Sequence, residues 1–361
     1  MSDETKDVPP AKNSGVDPKR TTLAKEWYFS SPLITCRWDR TGRSVYAAAM
    51  DRTLQRWDYG SDARTTLARL DSWAGALAPL ADGGLLTGTY RGELFVTGSD
   101  GEPIRPLRTQ TGHTAWIRSA EVSSDGRWIA TTGNDRIVRV CPAAEPADAR
   151  ALMGHEDEVY AVCFSPNNQH LVSGDLLGAV RTWDVQTGGA GRVFDASQLH
   201  HYDPAYRARF GGARRLAFSP DGRWLACGGP GENIFSMAGE FKPAVLLFDW
   251  ESGDQKAVLK ASDASYQGNI CGLAFHPDGF LIGVGGGKSG GRIWFWDVDA
   301  DSALPFHTLV LPTTAKDFDL HPEGDRLLIA HYDGKPVRDV KEHIGGALRV
   351  YLIGNTGRGK S

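Results

Sequence analysis

The sequence predicts an all-β fold built from repeated units, and three observations lead to this prediction. The chain has 361 residues, of which 43 are glycine and 11 are tryptophan, a composition that favours short strands joined by tight turns. Short β-branched and aromatic segments alternate with turn-forming pairs along most of the chain. Those pairs recur at a nearly constant spacing, which is the signature of a repeat architecture.

The turn-forming pairs define seven units. They are Thr41-Gly42, Asp82-Gly83, Asp125-Gly126, Asn167-Asn168, Asp221-Gly222, Asp278-Gly279 and Glu323-Gly324. The spacings between their second members are 41, 43, 42, 54, 57 and 45 residues. Glycine, asparagine and aspartate supply the backbone conformations that such turns require. We therefore expect one hairpin at the start of each unit.

Units one to six each contain four predicted strands in a fixed order, and unit seven contains the first three. The first strand precedes the turn, as in 159–166, and the second follows it, as in 128–132. The third strand is represented by 180–184 and a weaker fourth strand by 191–194. Their β-branched and aromatic residues suit a packed, pleated surface.

Dipeptides at fixed places in these units resemble those of the WD-repeat β-propeller family. The matching pairs are Gly112-His113, Gly154-His155, Trp57-Asp58, Trp183-Asp184 and Trp296-Asp297. The resemblance runs from about residue 24 to 353 and implies a single seven-bladed β-propeller, with four antiparallel strands in each blade.

The sequence departs from the family pattern, in which His, Ser or Thr, Asp and Trp side chains are often linked within a blade. Unit three has Cys141 where tryptophan is expected, and unit four has Leu177 where aspartate is expected. Because buried polar groups must be paired, we expect backbone or water partners for His113 and His155.

The two ends of the chain are predicted to share the last blade. Unit seven lacks a fourth strand, whereas residues 25–29 form an unassigned strand ahead of unit one. We expect 25–29 to pair with 348–351 and so to cover an open sheet edge. The remaining ends are predicted to be a disordered polar tail at 1–23 and a flexible tail at 354–361.

Composition argues against several classes of protein. The net charge of −4 gives no electrostatic footprint for nucleic acid or anionic membrane. No apolar run approaches the length of a transmembrane helix, and residues 1–20 lack the apolar stretch of a secretory signal. The five cysteines are widely spaced and are predicted to be reduced core thiols. We therefore expect a cytoplasmic protein that is a monomer by itself.

Insertions cluster in the later units and point to a binding surface. They are 195–212, 229–243, 287–291 and 333–346. All four join strands at the same rim of a propeller, over blades five to seven. Since binding sites concentrate on loops held by a rigid scaffold, we expect a partner segment to dock on this rim.

The predicted partner-binding residues combine arginines with aromatic side chains, as interface anchors often do. Those in the insertion and just after it are His201, Tyr202, Tyr206, Arg207, Arg209, Arg214 and Arg215. Those at the starts of first strands or in second-to-third turns are Tyr90, Arg91, Trp116, Arg118, Asn134, Tyr160 and Lys316. The sequence thus predicts a non-enzymatic scaffold for a protein or peptide partner, for which the basic side chains favour acidic character.

Four other functions have some support in the sequence. A small-molecule-binding or hydrolytic propeller would place a pocket at the channel mouth, and the arginines near 207–215 could hold single-stranded RNA. The His200-His201-x-Asp203 segment offers metal-ligand types but no second half-site. Residues 287–289 end like a P-loop, but Ile282 stands where its first glycine is required. The sequence assigns no catalytic residue, metal site or cofactor.

Overall fold

The protein is a ring of seven four-stranded antiparallel sheets, as predicted. The computed structural model describes residues 15–98, 104–107, 112–235, 240–261, 263–332 and 345–355. In each sheet the strands follow the order inner to outer, and the seventh sheet has the order β28-β29-β30-β1 from the channel outwards.

Blades one to four occupy the first half of the chain. Blade one contains β2 (Leu33–Trp38), β3 (Ser44–Ala49), β4 (Thr53–Asp58) and β5 (Arg64–Arg69). Blade two contains β6 (Ala74–Pro79), β7 (Leu85–Thr89), β8 (Leu94–Thr97) and β9 (Arg105–Pro106). Blade three contains β10 (Ile117–Val122), β11 (Trp128–Gly133), β12 (Val138–Pro142) and β13 (Arg150–Leu152), with the short 3-10 helix η1 at Pro146–Asp148. Blade four contains β14 (Val159–Phe164), β15 (His170–Asp175), β16 (Ala179–Asp184) and β17 (Ala190–Asp195).

Blades five to seven carry the longer connections. The insertion after blade four contains the 3-10 helix η2 (Ser197–Leu199) and the hairpin β18 (His200–Asp203) and β19 (Ala208–Gly211). Blade five contains β20 (Arg215–Phe218), β21 (Trp224–Phe235), β22 (Glu240–Asp249) and β23 (Gln255–Lys260). Blade six contains β24 (Asn269–Phe275), β25 (Leu281–Gly286), β26 (Gly291–Trp296) and β27 (His307–Leu311). Blade seven contains β28 (Thr314–Leu320), β29 (Arg326–Tyr332), β30 (Gly346–Asn355) and β1 (Val16–Phe29).

The hydrophobic core lies between neighbouring blades. One cluster joins blades five and six through Trp224, Phe275 and Trp294, and another joins blades seven and one through Leu328 and Trp57. Each blade buries both faces, so the ring depends on contact with its neighbours, as in other repeat folds.

The N-terminal strand closes the ring. β1 pairs antiparallel with β30, and Glu26 faces Arg349 while Trp27 faces Leu348. This pairing confirms the predicted closure. The strand begins at Val16, well before the predicted boundary at residue 23, because Val16 buries its side chain beside Ile353 and gains a sheet partner in Asn355. β30 likewise extends to Asn355, past the predicted boundary at 354; residues 1–14 and 356–361 lie outside the described residues.

The insertions take different forms. In 229–243 the hairpin strands β21 and β22 simply continue beyond the blade, and Pro230 faces Pro243 across it. In 195–212 the chain forms the separate two-stranded sheet β18-β19. Most of 333–346 lies outside the described residues.

Blade four contains a complete side-chain network, contrary to the expectation of backbone or water partners for His155. His155 Nδ1 lies 2.8 Å from Asp175 Oδ2, and its Nε2 lies 2.7 Å from Ser173 Oγ. Trp183 Nε1 donates to the same Ser173 oxygen over 2.8 Å. The aspartate comes from the end of β15 rather than from position 177, so the sequence pattern concealed it.

Blade three replaces the tryptophan of that network with an arginine. His113 bonds to Asp135 at 3.0 Å and to Thr131 at 2.9 Å, so its expected backbone or water partners are also incorrect. Arg139 forms an ion pair with Asp135 at 2.9 Å and donates to the Gly112 carbonyl. His113 and Arg139 therefore keep the pKa of Asp135 at about 2 even though burial raises it.

On the face opposite the insertions, two histidines form hydrogen bonds to the neighbouring blade. His276 Nε2 lies 2.9 Å from the Gly324 carbonyl oxygen, and His321 Nε2 lies 3.2 Å from that of Gly42. The second bond joins blade seven to blade one and adds to the closure made by β1.

Candidate functional site

A repeated β-bulge aims side chains at the channel mouth. In six blades the inner strand slips by one residue after its first or second pair with the second strand. Such bulges redirect the extra residue. Arg118, Tyr160 and Lys316 occupy this position in blades three, four and seven. The bulge thus explains why these predicted residues share the insertion-bearing face.

In blades one to four, a backbone hydrogen bond ties the second-to-third turn to the residue before the inner strand. The Tyr90 amide donates to the Trp73 carbonyl over 2.9 Å, and the Asn134 amide donates to the Trp116 carbonyl over 2.9 Å. In blade one the Met50 amide donates to the Pro32 carbonyl over 2.8 Å. Residues distant in sequence are therefore held side by side on one face.

These positions form a continuous row of contacts that we call the aromatic arc. Its members are Met50, Trp73, Tyr90, Trp116, Arg118, Asn134, Glu158, Tyr160 and Arg214. Trp73 Nε1 donates to the Met50 carbonyl over 2.7 Å, and the Trp73 ring meets Tyr90 edge-on at 5.8 Å. Tyr90 stacks on Trp116 with centroids 4.3 Å apart. The first half of the arc is thus apolar.

The second half of the arc is built on Arg118. Its guanidinium lies 4.7 Å from the centre of the Trp116 ring and 5.1 Å from that of Tyr160. It also donates to Asn134 Oδ1 over 2.6 Å and lies 3.6 Å from a Glu158 carboxylate oxygen. Cation–π contacts and ion pairing together hold the side chain in place.

Arg214 ends the arc in a partly desolvated position. Its guanidinium lies 5.1 Å from the centre of the Tyr160 ring, and its Nε donates to the Gly211 carbonyl. Burial lowers the pKa of Arg214, and the nearby charges of Arg118 and Arg215 lower it further. A group of this kind gains from an added anion.

Arg215 points into the central channel instead of toward the rim. It donates to the Cys271 carbonyl over 2.6 Å and lies 3.2 Å from Asp317 Oδ1. Arg37 reaches the other oxygen of Asp317 at 2.6 Å. This network joins blades one, five and seven across the channel.

The hairpin residues of the insertion form a separate group. Tyr202 and Tyr206 are 56% and 53% exposed, and the ring of His201 stacks on Phe241 at 5.8 Å. Arg209 pairs with Asp157 of blade four at 2.7 Å, and Arg207 sits in the hairpin turn with a φ of 50°. The four arginines expected at one rim site are therefore divided: Arg207 and Arg209 lie in the hairpin, Arg214 lies at the end of the arc, and Arg215 lies in the channel.

Besides Arg215, two predicted residues lie outside the aromatic arc and the hairpin group. Arg91 is exposed in the turn of blade two beside Tyr90. Lys316 is exposed at the mouth of blade seven, with its amine 5.4 Å from the centre of the Tyr332 ring.

Sequence reasoning missed Met50, Trp73 and Glu158. Trp73 directly precedes the inner strand of its blade, as Trp116 does in the next one, so aligning the units would have identified it. Glu158 holds this place in blade four. Met50 carries no signal of its own, because its role comes from the contact with Trp73.

One group of possible metal ligands occurs among the described residues. Ligand atoms of His321, Glu323 and Asp325 lie within 4.8 Å of one another. The Arg326 guanidinium bonds to both carboxylates, at 3.0 Å and 2.9 Å. His321 already bonds to Gly42 and accepts from the Glu323 amide, so this group fits a turn better than a metal site.

The described cysteines agree with the prediction of core thiols. All five are free, and four are buried. In the described part of the chain, no helix has the length and apolarity needed to cross a bilayer.

Comparison with known proteins identifies the repeats. The family model described as "WD domain, G-beta repeat" matches residues 104–141, 148–184 and 208–233. The chain is 27% identical over 187 residues to a guanine nucleotide-binding protein subunit beta of Arabidopsis thaliana, covering 51% of this chain and 45% of that protein. It is 24% identical over 277 residues to telomerase Cajal body protein 1 of Rattus norvegicus, covering 61% and 50%. It is also 27% identical over 142 residues to the target of rapamycin complex subunit wat1 of Schizosaccharomyces pombe, covering 39% and 45%.

These alignments span half or less of the length of each relative. The matched repeats and the seven four-stranded blades agree on one assignment. The chain is similar in sequence to WD-repeat proteins over these three stretches, and its fold is a seven-bladed β-propeller.

Proposed function

We propose that this propeller is a protein-interaction scaffold whose main docking surface is the aromatic arc. Two similar proteins are named as subunits, one of a guanine nucleotide-binding protein and one of a target of rapamycin complex. Their names support a role in assembly for the shared fold. Because the alignments cover only part of those proteins, their partners are not carried over to this chain.

The observation that carries the proposal is the exposure of adjoining apolar side chains on one rigid face. Met50, Trp73 and Trp116 are 47%, 43% and 40% exposed, and Tyr90 lies between the two tryptophans. Contiguous exposed apolar surface commonly marks an interaction site. Tryptophan and tyrosine also supply much of the binding energy in known interfaces.

The charges around the arc favour a particular partner chemistry. Glu158 already compensates Arg118, whereas the two terminal nitrogens of Arg214 have no hydrogen-bond partner among the described residues. Arg91 and Lys316 add exposed positive charge on the same face. We therefore propose a partner segment with apolar or aromatic side chains for the arc and acidic residues beside them.

The β18-β19 hairpin offers a second contact on the rim over blades five to seven. Tyr202 and Tyr206 are exposed there, and Ile234 and Phe235 on the extended β21 are 41% and 49% exposed. A segment crossing the face from blade two toward blade five would reach this hairpin after the arc.

Affinity purification from the native cell tests the two surfaces separately. We would compare wild type with Trp73→Ala/Trp116→Ala and with Tyr202→Ala/Tyr206→Ala, using mass spectrometry to identify partners. Val310→Ala is the matched control, because Val310 is 64% exposed on the outer strand of blade six. The arc variant should lose partners that the control retains.

The outcomes separate the proposals. Loss of partners only in the hairpin variant would move the site to the rim over blades five to seven. Identical partners for all variants would refute both docking surfaces. Turnover in a hydrolase panel would instead support the alternative of a hydrolytic propeller with its pocket at the channel mouth.

A further inference from the structure

The central channel is a cavity with an unusual charge balance. It has a volume of about 720 Å³ and is lined by residues of all seven inner strands or their flanks. It extends from Arg118 and Arg214 at the insertion-bearing face to Pro166 and Pro220 at the opposite face. This volume lies within the usual range for small-ligand sites.

Arginines outnumber carboxyl groups in the lining. The arginines are Arg37, Arg40, Arg118, Arg214 and Arg215. The carboxyl groups are Glu121, Asp317 and Asp319. Even with every group ionised, the lining carries an excess of positive charge.

Asp317 is the carboxylate that is firmly ionised. It accepts hydrogen bonds from Thr35 Oγ1 at 2.6 Å and from Arg37 at 2.6 Å, and Arg215 lies 3.2 Å away. Burial opposes ionisation, but the two guanidinium groups outweigh it and lower the pKa of Asp317. One carboxylate thus compensates two arginines and leaves a net positive charge.

The other two carboxyl groups lose their charge near neutral pH. Burial raises the pKa of Glu121 to about 7, although Arg37 and Arg40 oppose it. Burial also raises the pKa of Asp319 to about 6, and its Oδ2 accepts from the Trp38 amide at 2.7 Å. The positive charge of the channel therefore grows as the pH falls through this range.

The remaining strands do not offset this charge. The lining residues of blades two and six include no titratable side chain, and blade four contributes Cys163, whose pKa is raised by burial. Cys271, which borders Arg215, also has a pKa raised by burial. Both thiols are neutral at physiological pH.

The positive groups are spread along the channel. Arg214 stands at the mouth, Arg37 and Arg215 meet at Asp317, and Arg40 reaches across the far end to the carbonyls of Ser123 and Ser124. Guanidinium groups bind phosphate oxygens in a forked geometry, and separated cations favour a ligand with more than one anionic group.

We propose that the central channel binds a small anion that carries two or more phosphate groups. The ligand would contact the arginines at the mouth and inside the channel, and it would take the place of the missing counter-charge. This site shares Arg118 and Arg214 with the aromatic arc, but its other arginines lie inside the channel, and the proposal stands without the docking of a protein segment.

Isothermal titration calorimetry with sulfate probes tests the site. Inorganic sulfate and inositol hexasulfate keep their charge between about pH 6 and about pH 8, so any pH dependence belongs to the protein. We expect the hexasulfate to bind much more tightly than sulfate and to bind roughly five- to tenfold more tightly at the lower pH.

Two variants change the net charge of the channel in opposite directions. Arg40→Gln should weaken hexasulfate binding about tenfold, and Glu121→Gln should strengthen binding at the higher pH and remove most of the pH dependence. The Glu121 side chain makes no hydrogen bond among the described residues, so this second variant tests the site even if Arg40→Gln fails to fold. Arg223→Gln is the control, because Arg223 is an exposed residue that pairs with Asp299 outside the channel.

Three results would contradict the proposed anion site. No measurable hexasulfate binding by wild type, or equal changes in Arg40→Gln and Arg223→Gln, would overturn the proposal. Binding that is lost in Trp73→Ala/Trp116→Ala but kept in Arg40→Gln would place the anion on the arc and overturn it as well.

Discussion

Glu26 on the N-terminal strand forms an ion pair with Arg349, which lies 323 positions away on β30. The Arg349 side chain is 5% exposed and also donates to Thr313 Oγ1 over 2.8 Å. The Glu26 carboxylate in turn accepts a hydrogen bond from the Tyr28 hydroxyl at 2.5 Å. The two ends of the chain are thus joined by charge as well as by the β1–β30 ladder.

Replacing Glu26 with glutamine should destabilise the ring. The change leaves the buried Arg349 guanidinium without its counter-charge, and breaking a mostly buried pair costs roughly 2–4 kcal/mol. Urea denaturation would measure the loss in the free energy of unfolding. Glu232→Gln is the matched control, because its pair with Lys242 is exposed and should contribute under about 1 kcal/mol. Equal losses for both variants would contradict a special role for the closing pair.

Truncation from the N-terminus should show where the closing strand begins. Deleting residues 1–14 leaves every described contact in place, so the melting temperature should stay unchanged. Deleting 1–23 removes the pairing of Val16 and Thr22 with β30 and should lower it. Deleting 1–30 also removes Trp27 and Phe29 from the core between blades seven and one and should lower it most.

Differential scanning fluorimetry of the three truncations would check this order. A melting temperature that is the same after deletion of 1–14 and of 1–30 would refute closure by β1. A drop that appears only beyond residue 23 would restore the shorter strand expected from sequence.

The sequence predicted the repeats and the closure because both leave local signals. Turn pairs such as Asp221-Gly222 mark each hairpin. Residues 25–29 have the composition of a strand, and the missing outer strand of unit seven is the one position in the predicted ring that they can fill. The extension to Val16 could not be predicted, because 17–20 is polar and the strand partners of Val16 and Asp17 are Asn355 and Gly354. Local composition carries no information about a partner strand at the other end of the chain.

The candidate site was predicted less completely. Tyr90, Trp116, Arg118, Asn134, Tyr160 and Arg214 do lie together, because their places in the repeat put them on one face. Arg215 follows Arg214 in sequence but points into the channel toward Asp317. The direction of the Arg215 side chain is tied to a carboxylate two blades away, which cannot be read from neighbouring residues.

Asp135→Asn should remove a source of stability that depends on pH. The folded protein holds the pKa of Asp135 at about 2, against an ordinary value of 3.8, because His113 and Arg139 outweigh the effect of burial. A lowered carboxyl pKa stabilises the fold above the unfolded value, and this stability disappears as the pH falls through about 4 to about 2. The pH-dependent part should amount to roughly 2 kcal/mol.

Denaturation of wild type and Asp135→Asn across this pH range would check the sign of the pH dependence of stability. The difference in unfolding free energy should be constant near neutral pH and should shrink below about pH 4. Asp125→Asn is a useful comparison, since Asp125 also has a lowered pKa but lies in a hairpin turn away from His113. A difference for Asp135→Asn that does not change in acid would contradict the ion pair as its cause.

Glu121→Gln should increase the free energy of unfolding, whereas Asp135→Asn should decrease it. Burial raises the pKa of Glu121 from 4.5 to about 7, so the folded state binds a proton more tightly than the unfolded state does. Ionisation of this group therefore costs stability as the pH rises through about 4.5 to about 7, and the cost is fully present above that range. The variant should match wild type near pH 4 and exceed it by roughly 3 kcal/mol near pH 8. Asp317→Asn supplies the contrast, because Arg37 and Arg215 need the charge of that carboxylate and its loss should destabilise the ring at neutral pH. Stabilisation by both variants would mean that the channel has no excess of positive charge, and it would remove the basis for an anion site.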